Sequence, residues 1–278
     1  DSDQNVYDQK TWWGDSWDAM SYQEDINFDE PFFSQLKRLW RKVPDFALAN
    51  LNGVNSDYCS ITEGNKNCYL VVGGDFNENV MYSSFTFNTK DSIDLHWVSK
   101  SDLSYESVDS ISCSRLLYSR QCETCINSAF LFNCKNCTDC FGCVNLRNAQ
   151  YCIWNEQLDK KTYEERMEKI NLKSFSQVQK YKKEFEEFIL KYPHKFARII
   201  RSINSTGDNL EGTKNCKDCF DVFGGAKDCS NIWLAYSSVL NCYDCDHFGK
   251  NSQDSYQVST IYPGNNVICS RFIIESHD

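Results

Sequence analysis

A chain of 278 residues with 41% hydrophobic and 14% aromatic residues can fill one large domain or two smaller ones. Only 12 Gly and 4 Pro exclude the collagen-like and disordered classes. The net charge is −10 and no basic cluster stands out, which argues against general nucleic-acid binding through the phosphate backbone. There is no run of eighteen apolar residues, so no membrane span is expected. No signal peptide is visible, and the chain starts at Asp1 rather than Met, so the N-terminus reads as truncated and secretion stays open.

Residues 1–50 crowd Tyr7, Trp12, Trp13, Trp17 and Tyr22 into an acidic stretch. Asp29-Glu30-Pro31 then signals a helix start, with Asp29 as the cap and Pro31 in the first turn. Phe32, Phe33, Leu36, Leu39, Trp40 and Val43 carry helical spacing until Pro44. The segment is expected to be a helical cap over the first open coil of a solenoid, because an uncovered coil exposes unpaired strand groups. An aromatic ligand site is the other reading.

Residues 51–156 repeat. Cys125, Cys134, Cys143 and Cys152 lie nine apart, and so do Ser83, Ser92, Ser101, Ser110, Ser119 and Ser128. At eighteen, Tyr69, Phe87, Tyr105 and Phe141 form one file, broken by Glu123, and Val72, Val108, Ile126 and Val144 another, broken by Lys90. Self-similarity of this kind marks a solenoid, whose coils bury their apolar faces only by stacking. The expectation is a mainly β fold, a parallel β-helix of about 18 residues per coil with two nine-residue sides. The serine file would occupy a corner, and Asp91, Asp109, Asn127 and Asn145 a second corner ladder. A twelve-residue spacing (Asn67-Cys68, Asn79-Val80, Asp91-Ser92) competes in the first coils but fails after Asp102, which favours eighteen.

Residues 157–203 form an inserted helical hairpin, with helices expected over 160–171 and 175–192 from the signatures Thr162-x-x-Glu165 and Ser174-x-x-Gln177. A third short helix is expected over 194–202. The insertion packs on a solenoid flank or serves as a partner-binding arm. Residues 204–278 read as a second, less regular and truncated block, from Cys216-x-x-Cys219, Cys229 and Cys242-x-x-Cys245.

The stretch from Cys140-Phe-Gly-Cys143-Val-Asn-Leu-Arg to Asn148-Ala-Gln-Tyr151-Cys152-Ile-Trp-Asn155, followed by Tyr163-Glu-Glu-Arg, resembles a signature of uncharacterised Cys-rich repeat proteins from candidate-phyla bacteria. The stretch from Val6 to Trp13 and Asn67-Cys68-Tyr69 are similar to theirs. In those relatives an N-terminal zinc ribbon often precedes the Trp-Trp segment and a second Phe-Gly-Cys signature closes the second block; neither is present here. The resemblance implies no activity and assigns no catalytic residue.

Sixteen cysteines are far above ordinary usage, and the chain is too long to need disulfides for a core, so a reduced, cytoplasmic protein is expected. Cys122, Cys125, Cys134 and Cys137 offer four thiolates at a spacing that suits zinc. The alternative is stacked core thiols, since free Cys packs as a small apolar group. On the eighteen-residue coil, Cys122 would stack under Cys140, Cys125 under Cys143 and Cys134 under Cys152, near enough for strained bridges. The run Cys134, Cys137, Cys140, Cys143 departs from the iron–sulfur pattern in its last spacing and lacks Pro. Parallel β-helices also host carbohydrate-cleaving carboxylates, for which Asp91, Asp109, Arg115 and Arg147 are the candidates, though a water-exposed turn ladder explains the acids more simply. Gly73-Gly74-Asp75 faintly matches a calcium-binding nonapeptide turn but is not repeated.

The reading is therefore a non-catalytic structural or binding scaffold with no catalytic residue and no cofactor expected, zinc remaining open. Its partners would be another protein or itself. A carbohydrate-active β-helix enzyme and a zinc-stabilised interaction module are the alternatives.

Overall fold

The computed structural model describes residues 5–223 without a break and, beyond them, 227–228, 230, 233–236, 240–243, 246–248, 253–254, 256–261, 265–266 and 268–273. It divides into two compact units, Asp1–Tyr192 and Pro193–Asp278. Cys229 and Cys245, two landmarks of the second block, lie outside the described residues.

The first unit is a parallel β-helix, as the repeats predict, but its coil consumes twelve residues, not eighteen. Tyr69 pairs with Met81, Met81 with Ile93, Ile93 with Tyr105, and Tyr105 with Leu117. The same step carries Ile126 to Thr138 and Thr138 to Gln150. Parallel strands from Tyr69–Val72 to Gln150–Ile153 make one sheet, closed by the antiparallel Glu156–Gln157.

The unit beneath this register is a triplet. From Asn52 to Trp154 every third residue has a positive φ near +50 to +65°. Each such residue turns the chain, and four turns close a coil. Asn, Asp and Gly tolerate that region, whereas Trp97 or Ile61 there costs about 1–2 kcal/mol, which the stacked hydrogen bonds must offset. The residue after each positive-φ position turns inward: from Ser56 to Cys152 every third side chain does so, and all but Leu146 and Ala149 are fully buried.

Periods of nine and eighteen are multiples of three, and this is why they dominate the sequence. Successive members of the serine file lie three sides apart, so they visit all four sides in turn. They are interior residues rather than corner residues. The eighteen-residue files hop half a coil at each step: Tyr69 and Tyr105 share one outward column, while Phe87 and Glu123 lie on the opposite side. Asp91 and Asn127 likewise share one column and Asp109 and Asn145 another, so the four do not form a single ladder. The twelve-residue ladder is the real one. Asn55 donates to Asn67, Asn67 to Asn79 and Asn79 to Asp91 at 3.3, 3.1 and 2.7 Å. Its signal fades after Asp102 because Leu103 and Arg115 occupy the next two rungs, before Asn127 and Asp139 resume it.

Interior chemistry follows from stacking. Ser92 Oγ donates to the Lys90 carbonyl at 2.6 Å and accepts the Ser104 N–H, one coil higher, at 3.0 Å. Ser83, Ser119 and Ser128 repeat both bonds. A small inward side chain with one donor and one acceptor thus satisfies backbone groups that no water reaches.

At the N-terminus, Val6–Tyr7 pairs in parallel with Asp45–Phe46 in a separate two-stranded sheet. The Trp12 ring packs on Phe46 and Trp17 at 5.5 and 4.9 Å. Of the helices there, α1 (Gln9–Trp12) is one turn, and α2 (Phe32–Lys42) buries none of its residues. Pro31, not Asp29, is the N-cap of α2, with its carbonyl accepting Ser34 and Gln35 N–H.

After the sheet come α3 (Lys160–Met167) and α4 (Phe175–Ile189). Asp159 caps α3 by accepting Thr162 N–H at 3.0 Å. No helix forms over 194–202. Ile199–Ile200, a β-branched pair, instead opens the second sheet by pairing with Leu210–Glu211. In that sheet the register drifts, from Ile199↔Leu210 through Gly207↔Cys219 to Phe220↔Trp233. The short step has a visible source: positive φ falls on both Gly207 and Asn209, one residue short of the triplet.

Candidate docking face and interior thiols

One outer face of the first unit is lined by two neighbouring columns. The first runs Tyr69, Met81, Ile93, Tyr105, Leu117, Ala129, Phe141, Ile153. The second, of positive-φ residues, runs Tyr58, Leu70, Tyr82, Asp94, Glu106, Tyr118, Phe130, Gly142, Trp154. Their rings interlock diagonally, Tyr58–Tyr69 and Tyr69–Tyr82 at 5.6 Å and Tyr105–Tyr118 and Phe130–Phe141 at 5.4 Å, while Tyr118 and Phe130 stack within the second column at 4.9 Å. Gly142 is required here, since a Cβ would stand 2.7 Å from the Trp154 ring that lies over it.

Helices α3 and α4 cover the upper half of this face. Phe130 meets Phe185 at 5.8 Å, Phe141 meets Tyr181 at 5.3 Å and Trp154 meets Phe188 at 5.0 Å. Val178 and Ile189 complete the cluster, leaving Phe130 and Phe141 at most 1% exposed. Two ion pairs fix the helix: Lys182 with Glu106, and Arg120 with Glu186 at 2.7 Å. Lys182 also lies 4.9 Å above the Tyr118 ring.

Among the described residues no helix covers the lower half. Tyr82 is 55% exposed and Ile93 40%, and Tyr58, Leu70 and Met81 are exposed as well. Asp57 and Asp94 flank them in water. Where the halves meet, burial and the Glu106 carboxylate push the Tyr105 phenol up to about 12, with Asp94 adding to the effect. This face is only half legible in the sequence. Tyr69, Tyr105 and Phe141 stand out there, but the period that unites them with Met81, Ile93 and Ile153 does not.

The four thiols with zinc-like spacing lie inside the coil, all at most 2% exposed. Stacking at twelve places Cys122 under Cys134 on one side and Cys113, Cys125 and Cys137 in file on the next. Cys140 stacks under Cys152, and Cys143 belongs to a fourth side above Leu131. The eighteen-residue stacking pairs expected for these thiols are therefore replaced by these. The sulfurs play the serine role: Cys113 Sγ accepts the Cys125 N–H at 3.4 Å, and Cys125 Sγ donates to the Glu123 carbonyl at 3.5 Å. The cysteines from Cys59 to Cys152 are all thiols, with no disulfide among them. Facing thiols and burial push Cys125, Cys134 and Cys140 far above the ordinary thiol range. Cys137 is driven down through its hydrogen-bonding neighbours Cys125, Cys134 and Cys140. Among the described residues no group of three or more His, Cys, Asp or Glu is arranged to hold a metal ion.

The candidates for carbohydrate chemistry do not converge on one groove. Asp91 accepts from Asn79. Arg115 stands in the Asp91 column two coils higher, and Asp109 lies on the opposite side of the coil. Arg147 donates to the Leu146 carbonyl at 2.8 Å and to Asn133 Oδ1 at 3.0 Å. Gly73 has positive φ beneath the Phe85 ring and Gly74 faces inward against Thr86, so both serve packing.

No family model matches the chain, and no curated protein does. Two solved structures are similar in part. One is a putative acetyltransferase from Desulfovibrio desulfuricans G20, 12% identical, with 81% of this chain covered and a TM-score of 0.16. The chain spans 58% of that protein's length. The other is the polySia specific acetyltransferase NeuO, 10% identical over 81% of this chain and 74% of its own, with a TM-score of 0.09. Likeness at that level carries no argument about chemistry. No described helix is long and apolar enough to cross a membrane.

Proposed function

We propose that this protein is a non-catalytic binding scaffold whose working surface is the open half of the ladder, from Tyr58 to Tyr105. One observation carries the reading: the columns that α4 covers above Tyr105 continue below it with the same apolar and aromatic character, in water. Coils locked by interior hydrogen bonds hold those side chains in place before binding, so little ordering entropy is lost on contact. An exposed patch of this kind, rimmed by carboxylates, marks an interaction surface.

A photoreactive side chain at Ile93, compared with one at Glu123 on the opposite side of the coil, tests this in the full-length chain in cells. Crosslinks to protein concentrated at position 93 support the reading. Equal labelling at both positions, or none at either, would sink it.

The interior thiols act here as hydrogen-bonding rungs of the scaffold. Metal analysis of the reduced protein checks this: one zinc per chain, lost on replacing Cys125 and Cys137 by Ser, would assign them to a metal instead.

A further inference from the structure

The covered half of the ladder shows how this surface takes a cation. Lys182 of α4 pairs with Glu106 and sets its ammonium 4.9 Å above the Tyr118 ring. Glu106 and Tyr118 are successive members of one column, so a carboxylate and a phenol ring one coil apart, about 4.8 Å, hold the charge between them. Asp94 and Tyr82 bring the same two groups together in the open half, with the ring below the acid instead of above it. Tyr82 is 55% exposed, and Asp94 is exposed as well.

Charge on this face has one sign. From Asn55 to Glu106 its two columns and the one on either side carry Asp57, Asp91, Asp94 and Glu106 and no Lys or Arg. Lys66 and Lys90 stand one column further round, where both pair with Glu78 at 3.1 Å. A second copy laid face to face would set carboxylate against carboxylate, whereas a basic segment meets its complement. The covered half also sets the direction. Lys182 already occupies Glu106 and Tyr118, so a cation held at Asp94 lies at the upper end of the footprint. The apolar side chains beside it must run down, over Tyr82, Leu70 and Tyr58. From Asp94 to Tyr58 the rungs fall about 14 Å, the span of three side chains at alternate positions of an extended segment.

Resting on the scaffold reading, we infer that the open ladder recognises a basic protein segment in extended form. Its Lys or Arg side chain seats between Asp94 and Tyr82, and its apolar side chains lie on Met81, Leu70 and Tyr58.

Ligand-observed NMR titration of the full chain reads the outcome, with the capped peptide Lys-Ser-Tyr-Ser-Leu and its counterpart carrying Glu for Lys. The parent should bind the Lys peptide about fivefold or more tightly than the Glu peptide, and Asp94→Lys should reverse that order. Tyr82→Leu keeps the apolar bulk and removes the ring, so it should weaken the Lys peptide about two- to fivefold and leave the Glu peptide unchanged. Glu123→Gln, on the opposite side of the coil, should change neither. Tyr82 and Asp94 are both exposed, so circular dichroism should match the parent in every variant. Equal binding of the two peptides, no binding of either at about 5 mM, an order that Asp94→Lys fails to reverse, or Tyr82→Leu binding like the parent would overturn the inference. A crosslink from Ile93 to a segment without Lys or Arg, in another protein or a second copy, would overturn it while leaving the scaffold reading intact.

Discussion

The upper and lower halves of the ladder are the same backbone with the same columns, yet one is dry and the other wet. Above Tyr105 the face is filled by Leu117, Phe130, Phe141, Ile153 and Trp154, and α4 adds Tyr181, Phe185 and Phe188. Below, it is filled by Tyr69, Met81, Tyr82 and Ile93, side chains of similar bulk; Tyr69 is half-buried, and Met81, Tyr82 and Ile93 are exposed, with no described helix over them. The interiors differ in parallel. Ser83, Ser92, Ser101, Ser104, Ser107 and Ser110 line the lower coils, and Cys122, Cys125, Cys134, Cys137, Cys140 and Cys143 the upper ones. Burial on this face is thus decided by what lies on it, while the coil beneath is held by interior hydrogen bonds that Ser and Cys both supply.

The sharpest test of that contrast pairs two truncations. Phe141→Ala opens a cavity under α4 and should destabilise the chain by about 3–5 kcal/mol in denaturant unfolding, with Ile93→Ala costing under about 1 kcal/mol. Equal losses would mean that the lower half is covered in solution. Next in size is Cys137, whose sulfur donates to the Lys135 carbonyl at 3.4 Å. Cys137→Leu should cost roughly 2–3 kcal/mol through overpacking and a lost bond, and Cys137→Ser about 1 kcal/mol or less. If Leu were the milder change, the interior would be apolar packing and not a set of hydrogen-bonding rungs. Gly142→Ala comes third at roughly 1–2 kcal/mol, from the positive φ and the displaced Trp154 ring.

The solenoid, the helical insertion and the loosening of the second block are legible in the sequence because apolar and small residues recur whatever the exact coil length. The coil length itself is not. A triplet fold makes every multiple of three look periodic, and the eight columns of outward side chains are unrelated enough that twelve wins only where a column is uniform, as in Asn55, Asn67, Asn79 and Asp91. Leu103 and Arg115 break that column just where twelve and eighteen compete. The cysteines are legible as core thiols, since stacking alone explains their steps, but their partners depend on the coil length and change with it. Helix α2 is legible as a helix, although Pro31 and not Asp29 is its N-cap.

The boundary between the halves supplies the smallest effect. Glu106 holds Lys182 with both side chains about a third exposed, so Glu106→Gln should cost under about 1 kcal/mol. Its clearer trace is on Tyr105, whose phenol titrates at about 12 against an ordinary 10, first through burial and then through its bond to the Glu106 carboxylate. Below pH 10 this phenol is neutral in the folded and unfolded chain alike, and its contribution to stability is complete. Between pH 10 and 12 the unfolded chain releases the proton first, so stability falls as pH rises. Subtracting the tyrosinate absorbance titration of Tyr105→Phe from that of the parent isolates the group. The difference should be centred near 12 and move toward 10 in Glu106→Gln, where the charge and the acceptor are both weakened. If it sits at 10 in the parent, Glu106 is committed to Lys182 alone, and water reaches the seam between the covered and open coils as freely as it reaches Ile93.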